Sequence, residues 1–130
     1  MSTGLKALAL VALGGGCGAV CRYALSTLLM RGTFQGFPLG TLLVNLLGCL
    51  LIGLWAGWAA RHAWLNGDLR LLLVTGLLGG FTTFSAFGLE TLQLLRRAEY
   101  GQAGLYLGGS VILGLILTML GWWWGSAARG

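Results

Sequence analysis

The chain has 130 residues, 57% of them hydrophobic and only 8% charged, with a formal net charge of +5. A soluble domain carries roughly a quarter of its residues as charges, so the composition argues against a water-soluble enzyme or nucleic-acid-binding module. Four stretches are almost free of charge: Leu5 to Cys21, Leu39 to Ala60, Leu71 to Leu89 and Ala103 to Ala128. About 20 apolar residues of helix cross a bilayer core. The chain is therefore read as one all-α membrane domain, residues 1–130, with transmembrane helices near 5–29, 39–60, 70–95 and 101–125.

The first span has a glycine-rich centre followed by Arg22-Tyr23, which does not resemble a signal-peptide cleavage site. Cys17 and Cys21 stand one helical turn apart, as soft-metal ligands would, but no histidine or third thiol lies near them in sequence. The expectation is small, buried packing residues, with Cys49 in the same role. Gly14 and Gly18 fit the small-xxx-small pattern of close helix packing, as do Gly53/Gly57 and Gly121/Gly125. The Gly14-x-Gly16-x-Gly18 run lacks the third glycine and the strand of a dinucleotide-binding turn.

A turn, "RGTFQGFPLG", leads to the second span, where Thr41, Asn45 and Gly48 fall at i, i+4 and i+7 and share a face. The Asn45 amide can donate to a neighbouring helix, the commoner use of an intramembrane amide, or to an anion in a pore. Trp55, Trp58 and Trp64, like Trp122 to Trp124 on the fourth span, read as interfacial anchors. Asn66-Gly67-Asp68 marks the next turn.

The third span is the most informative. Gly76, Gly79 and Gly80 weaken a helix, and "FTTFS" follows with hydroxyl and β-branched residues. The expectation is a helix broken in mid-membrane, whose freed carbonyls must be buried, line a cavity or hold a cation such as Na⁺. Phe84 and Phe87 project from one face, and the positive edges of their rings can attract an anion. Glu90, a carboxylate within the span, needs a donor, for which Arg22 is a candidate. On the fourth span Tyr106, Ser110 and Thr118 form a row of hydroxyls, with Gly114 in the gap.

Basic residues cap the spans. An up-down topology puts Lys6, Arg61, Arg70 and Arg129 on one side, and Arg22, Arg31, Arg96 and Arg97 on the other. This balance leaves no bias to set orientation. A chain that inserts both ways can pair with an inverted copy of itself, so an antiparallel dual-topology homodimer is expected.

Together, "GGGCGAVCRY", "PLGTLLVNLLGCLLIG" and "TGLLGGFTTFSAFGLE" resemble, over the whole chain, the CrcB/Fluc fluoride channel family. The resemblance implies a passive, fluoride-selective channel in the cell's inner or plasma membrane, exporting F⁻ through two pores of an antiparallel homodimer. It implies pore roles for Asn45, Phe84 and Phe87, with Thr83 and Ser85 as neighbouring hydroxyls and Thr41 on the Asn45 face. Tyr106, Ser110 and Glu90 correspond to the polar track and Arg22 to the vestibule. Main-chain carbonyls of Gly79 and Thr82 correspond to the ligands of a structural Na⁺ at the dimer interface. Two positions depart from the family pattern: Ala86 stands for a threonine, and Gly114 for a further hydroxyl.

The competing readings are weaker. A small multidrug-type exporter needs a carboxylate in its first helix, and this span has none. A non-transporting assembly subunit leaves the break in the third span unexplained. An enzyme would have only His62 and Asp68 to work with in the loop between spans two and three.

Overall fold

Uninterrupted apolar sequence in a medium without water leaves the backbone one economical solution, a helix that pairs every amide internally. A computed structural model, describing residues 2–30 and 36–128, is all-helical, with no strand among those residues. Four helical segments are long and apolar enough to cross a membrane: Thr3–Met30, Leu39–Ala59, Asp68–Arg96 and Tyr100–Ala127. The 28-residue first and fourth segments reach about 42 Å at 1.5 Å per residue, enough to pass through the headgroup regions as well as the core. Arg31 and Arg129 of the charge count lie outside the described residues.

The helices are α1 (Thr3–Met30), α2 (Leu39–Ala59), α5 (Phe84–Arg96) and α6 (Tyr100–Ala127), with a more complex stretch between α2 and α5. There a 3₁₀ turn (Ala63–Leu65) leads to α3 (Asp68–Arg70), a π-helical segment (Leu71–Leu78) and the short α4 (Gly79–Phe81). Gly67, with φ of 80°, makes the turn that precedes α3, a conformation that only glycine adopts without strain. Thr82 (φ −86°, ψ 157°) and Thr83 (φ −149°, ψ 126°) are extended before α5 begins.

Glycine decides how the helices meet. Gly53 and Gly57 on α2 face the backbone of α6 at Thr118 and Trp122, while Gly121 and Gly125 on α6 face α2 at Leu50 and Leu54. The two small-xxx-small pairs are thus partners of each other within one chain. On α1, Gly14 and Gly18 lie against the backbone of Leu72, Leu77 and Phe81 in the third span. Without a hydrophobic drive between helices in lipid, such close van der Waals contact is a main source of stability.

The connections follow the up-down order. Lys6 pairs with Asp68, tying the start of α1 to the second connection. Arg97 Nη2 donates to Gly36 O at 3.1 Å, tying the third connection to the first. Two expectations change. Cys17 and Cys21 are exposed on the surface of this chain instead of buried, because α1 uses its glycine face for packing; Cys49 is half-buried. Trp55 is half-buried with a covered Nε1, whereas Trp58 and Trp64 are exposed and meet edge-on at 6.1 Å.

Candidate functional site

The extended residues Thr82 and Thr83 interrupt the helical ladder, so their polar groups need partners elsewhere. Thr82 N and Oγ1 both donate to Leu78 O, at 3.0 and 2.9 Å. Asn45 supplies what Thr83 lacks: its Nδ2 donates to Thr83 O (2.9 Å) and its Oδ1 accepts from Thr83 N (2.8 Å). The side-chain amide thus replaces both lost backbone bonds, with one Nδ2 hydrogen still unpartnered among the described residues. Thr83 then caps α5, its Oγ1 accepting from Ala86 N at 3.3 Å. Among the described residues no donor reaches the carbonyls of Gly79 or Thr82.

The predicted face of α2 lies along this interruption. Gly48 sits against the Thr82 methyl, where a side chain would collide. Thr41, almost fully buried, donates from Oγ1 to Glu90 Oε1 at 2.7 Å. Tyr106, fully buried, donates its hydroxyl to Glu90 Oε2, also at 2.7 Å. Both distances are ordinary for O–H···O hydrogen bonds. Arg22 is not a partner of Glu90: its Nε donates to Gly80 O at 3.1 Å. Tyr106 reaches the carboxylate because α5 packs on the N-terminal half of α6, around Leu94, Ala103 and Tyr106, while Thr41 reaches it from α2, whose Leu42 packs against the same cluster.

Beside these contacts runs a groove of about 400 Å³, lined by α2, the interrupted third span and α6. Asn45, Gly79, Thr82, Thr83, Phe84, Phe87 and Ser110 all border it. Ser110 Oγ is buried and has no partner among the described residues. Phe84 is 83% exposed, the most exposed large apolar side chain among the described residues. Its ring lies 5.4 Å from that of Phe87, which lies 5.1 Å from Tyr106. An aromatic row therefore links the groove to the Glu90 cluster.

Not every expected residue is there. Ser85 is exposed, and its Oγ meets Thr83 Oγ1 at 3.3 Å without lining the groove. Thr118 bonds back to Gly114 O at 2.9 Å and leaves the row of hydroxyls. Cys49 and Phe37 were missed. Cys49 is one turn beyond Asn45, on the groove face, and Phe37 packs edge-on against Tyr106 at 5.8 Å. The signal for Cys49 was its i+4 spacing; nothing local marked Phe37.

Gly114 has a structural reason. A Cβ added there would lie 3.3 Å from Cys49 Sγ, so the thiol occupies the space of a side chain. Gly114→Ser is expected to lower the unfolding temperature by about 3 °C, an overpacking cost near 1 kcal/mol. Adding Cys49→Ala should recover most of it. Thermal unfolding of the two single variants and the double variant checks this; additive losses would refute the contact. Nothing in the structure explains the alanine at position 86.

A family model described as CrcB-like protein, Camphor Resistance (CrcB), matches residues 9–122. The chain is 52% identical over 113 residues to a protein of Methylobacillus flagellatus, covering 86% of this chain and 88% of that one. It is 48% identical over 119 residues to one from Phocaeicola vulgatus, covering 92% and 98%. It is 50% identical over 121 residues to one from Thermus thermophilus, covering 93% and 96%. All three relatives bear the name fluoride-specific ion channel FluC.

Proposed function

The chain belongs to the CrcB family of multi-pass membrane proteins, and on that premise we propose that it is a fluoride-selective channel releasing F⁻ passively from the cytoplasm. The groove is the observation that carries this reading. It sets a buried, unpartnered hydroxyl (Ser110), an amide with a hydrogen to spare (Asn45) and two phenylalanine rings along one trough. Fluoride is small and strongly hydrated, so a path for it must exchange water for close donors. Several weak donors in sequence let the ion enter and leave, whereas a fixed cation in the path would trap it. Ring edges add positive potential without an exchangeable proton.

One chain offers only one wall of such a path. Phe84 projects away from its own chain, and the balanced basic residues favour neither orientation. These features support an antiparallel, dual-topology homodimer, with the third span broken in mid-membrane at Thr82–Thr83 and Phe84 completing the partner's pore. In that reading the whole chain, 1–130, is one channel domain, and there are two pores per dimer. Thr41, Glu90 and Tyr106 then continue the polar path beyond Phe87.

The carbonyls of Gly79 and Thr82 suit a hard monovalent cation, since both residues border the groove and their carbonyls lack donors among the described residues. Na⁺ held there would supply fixed positive potential near the anion path and join the two subunits. Asn45 and Thr83 have the separate task of holding the extended backbone in place.

Reconstitution in liposomes tests the function. Fluoride-loaded vesicles should release F⁻ rapidly without a proton gradient, while chloride-loaded vesicles release none. Equal release of both anions, or no fluoride release from assembled protein, would overturn the reading.

A further inference from the structure

Arg22 has no place in the groove, yet its position is specific. It is half-buried on α1, and its Nε donates to Gly80 O at 3.1 Å. Gly80 itself cannot bear a side chain: an added Cβ would meet the Gly15 backbone, with Cα at 2.9 Å. Gly80 therefore faces α1, while Gly79 and Thr82 line the groove on another side of the same turn. At a helix C-terminus the last carbonyls lack internal donors, and a side-chain N–H can satisfy one of them. Helical carbonyls run together along the axis toward its C-terminal end. Fixing the Gly80 carbonyl therefore holds the end of α4, from which the extended Thr82–Thr83 pair departs.

We propose that Arg22 is a positioning residue: its guanidinium pins the Gly80 carbonyl against α1, and this keeps the Gly79 and Thr82 carbonyls and the extended Thr82–Thr83 pair turned to the groove. Asn45 holds the far side of the same interruption, through Thr83. The two side chains, from different helices, clamp the non-helical backbone from both ends. On this account the donor matters and the charge does not, which distinguishes it from a vestibule cation that attracts anions at a distance. The proposal rests on the channel reading above.

Three substitutions separate donor from charge. Arg22→Gln keeps an N–H the same number of bonds from Cα as Arg Nε, without the charge. Arg22→Lys keeps the charge with its donor one bond farther out. Arg22→Met keeps similar bulk with neither. Fluoride release from liposomes should fall up to about tenfold in Arg22→Met, the worth of one part-buried hydrogen bond. Arg22→Gln should recover most of that loss. The Arg22→Met deficit should also be the same at low and high salt, because a local bond is not screened as a distant charge is.

Retained flux in Arg22→Met, a deficit that salt abolishes, or Arg22→Lys active with Arg22→Gln inactive would each overturn the proposal. If Arg22→Met does not assemble, the other two decide: Arg22→Gln at least as active as Arg22→Lys supports positioning, and a clearly less active Arg22→Gln refutes it. Absence of fluoride release from the unsubstituted protein would instead count against the channel reading itself.

Discussion

Asn45→Asp is expected to lower fluoride flux by about a hundredfold or more, since a charge within a few ångströms of the proposed anion path opposes entry by several kcal/mol. The substitution changes only a few atoms, but it acts twice. The carboxylate can still accept from Thr83 N, yet it can no longer donate to Thr83 O and instead faces that carbonyl with a negative charge. It also puts the charge on the wall of the groove. Asn45→Leu isolates the structural half, removing both bonds without adding charge. Liposome efflux should rank the proteins as unsubstituted, then Asn45→Leu, then Asn45→Asp. Equal activity of Asn45→Asp and the unsubstituted protein, with assembly shown by size-exclusion chromatography, would remove Asn45 from the path.

Gly121→Val should have the largest effect on stability. Even the first added carbon would meet Leu50 O, Leu54 N at 2.8 Å and Gly53 C at 3.1 Å. These are backbone atoms of α2 and cannot rotate aside. The helices would have to separate, at a cost of about 1–3 kcal/mol from overpacking alone. Separation would carry Ser110 on α6 away from Asn45 on α2, so flux should fall along with stability. Gly101→Ala is the control, since nothing lies within 4 Å of its added Cβ. Thermal unfolding in detergent should show Gly121→Val well below Gly121→Ala, and Gly101→Ala near the unsubstituted protein. An unfolding temperature unchanged in Gly121→Val would mean that the α2–α6 contact is not what holds this part of the bundle.

Glycine shows where sequence reading stops. The spacings of Gly53/Gly57 and Gly121/Gly125 announced close packing, but not that the two pairs meet each other. Close approach is written in a residue's size, whereas the partner depends on where another helix lies. The same holds for Glu90. Its need for a donor follows from its place in an apolar span, yet the choice of Thr41 and Tyr106 over Arg22 arises from how α5 packs against both α2 and α6. The π-helical turns of Leu71–Leu78 had no marker at all, because their wider hydrogen-bond pattern is not set by residue type.

By itself the sequence determined what depends on neighbours along the chain. Four spans follow from the length of the apolar runs, the turn at Gly67 from a backbone angle natural to glycine, and the shared face of Thr41, Asn45 and Gly48 from the helical period. Tertiary structure alone decided which polar groups satisfy one another. Asn45 serves the Thr83 backbone, Arg22 serves Gly80, and Ser110 at the groove has no partner among the described residues. The reason is physical: hydrophobicity and helical period act along the chain, whereas a buried hydrogen bond exists only once two distant segments hold its atoms about 3 Å apart.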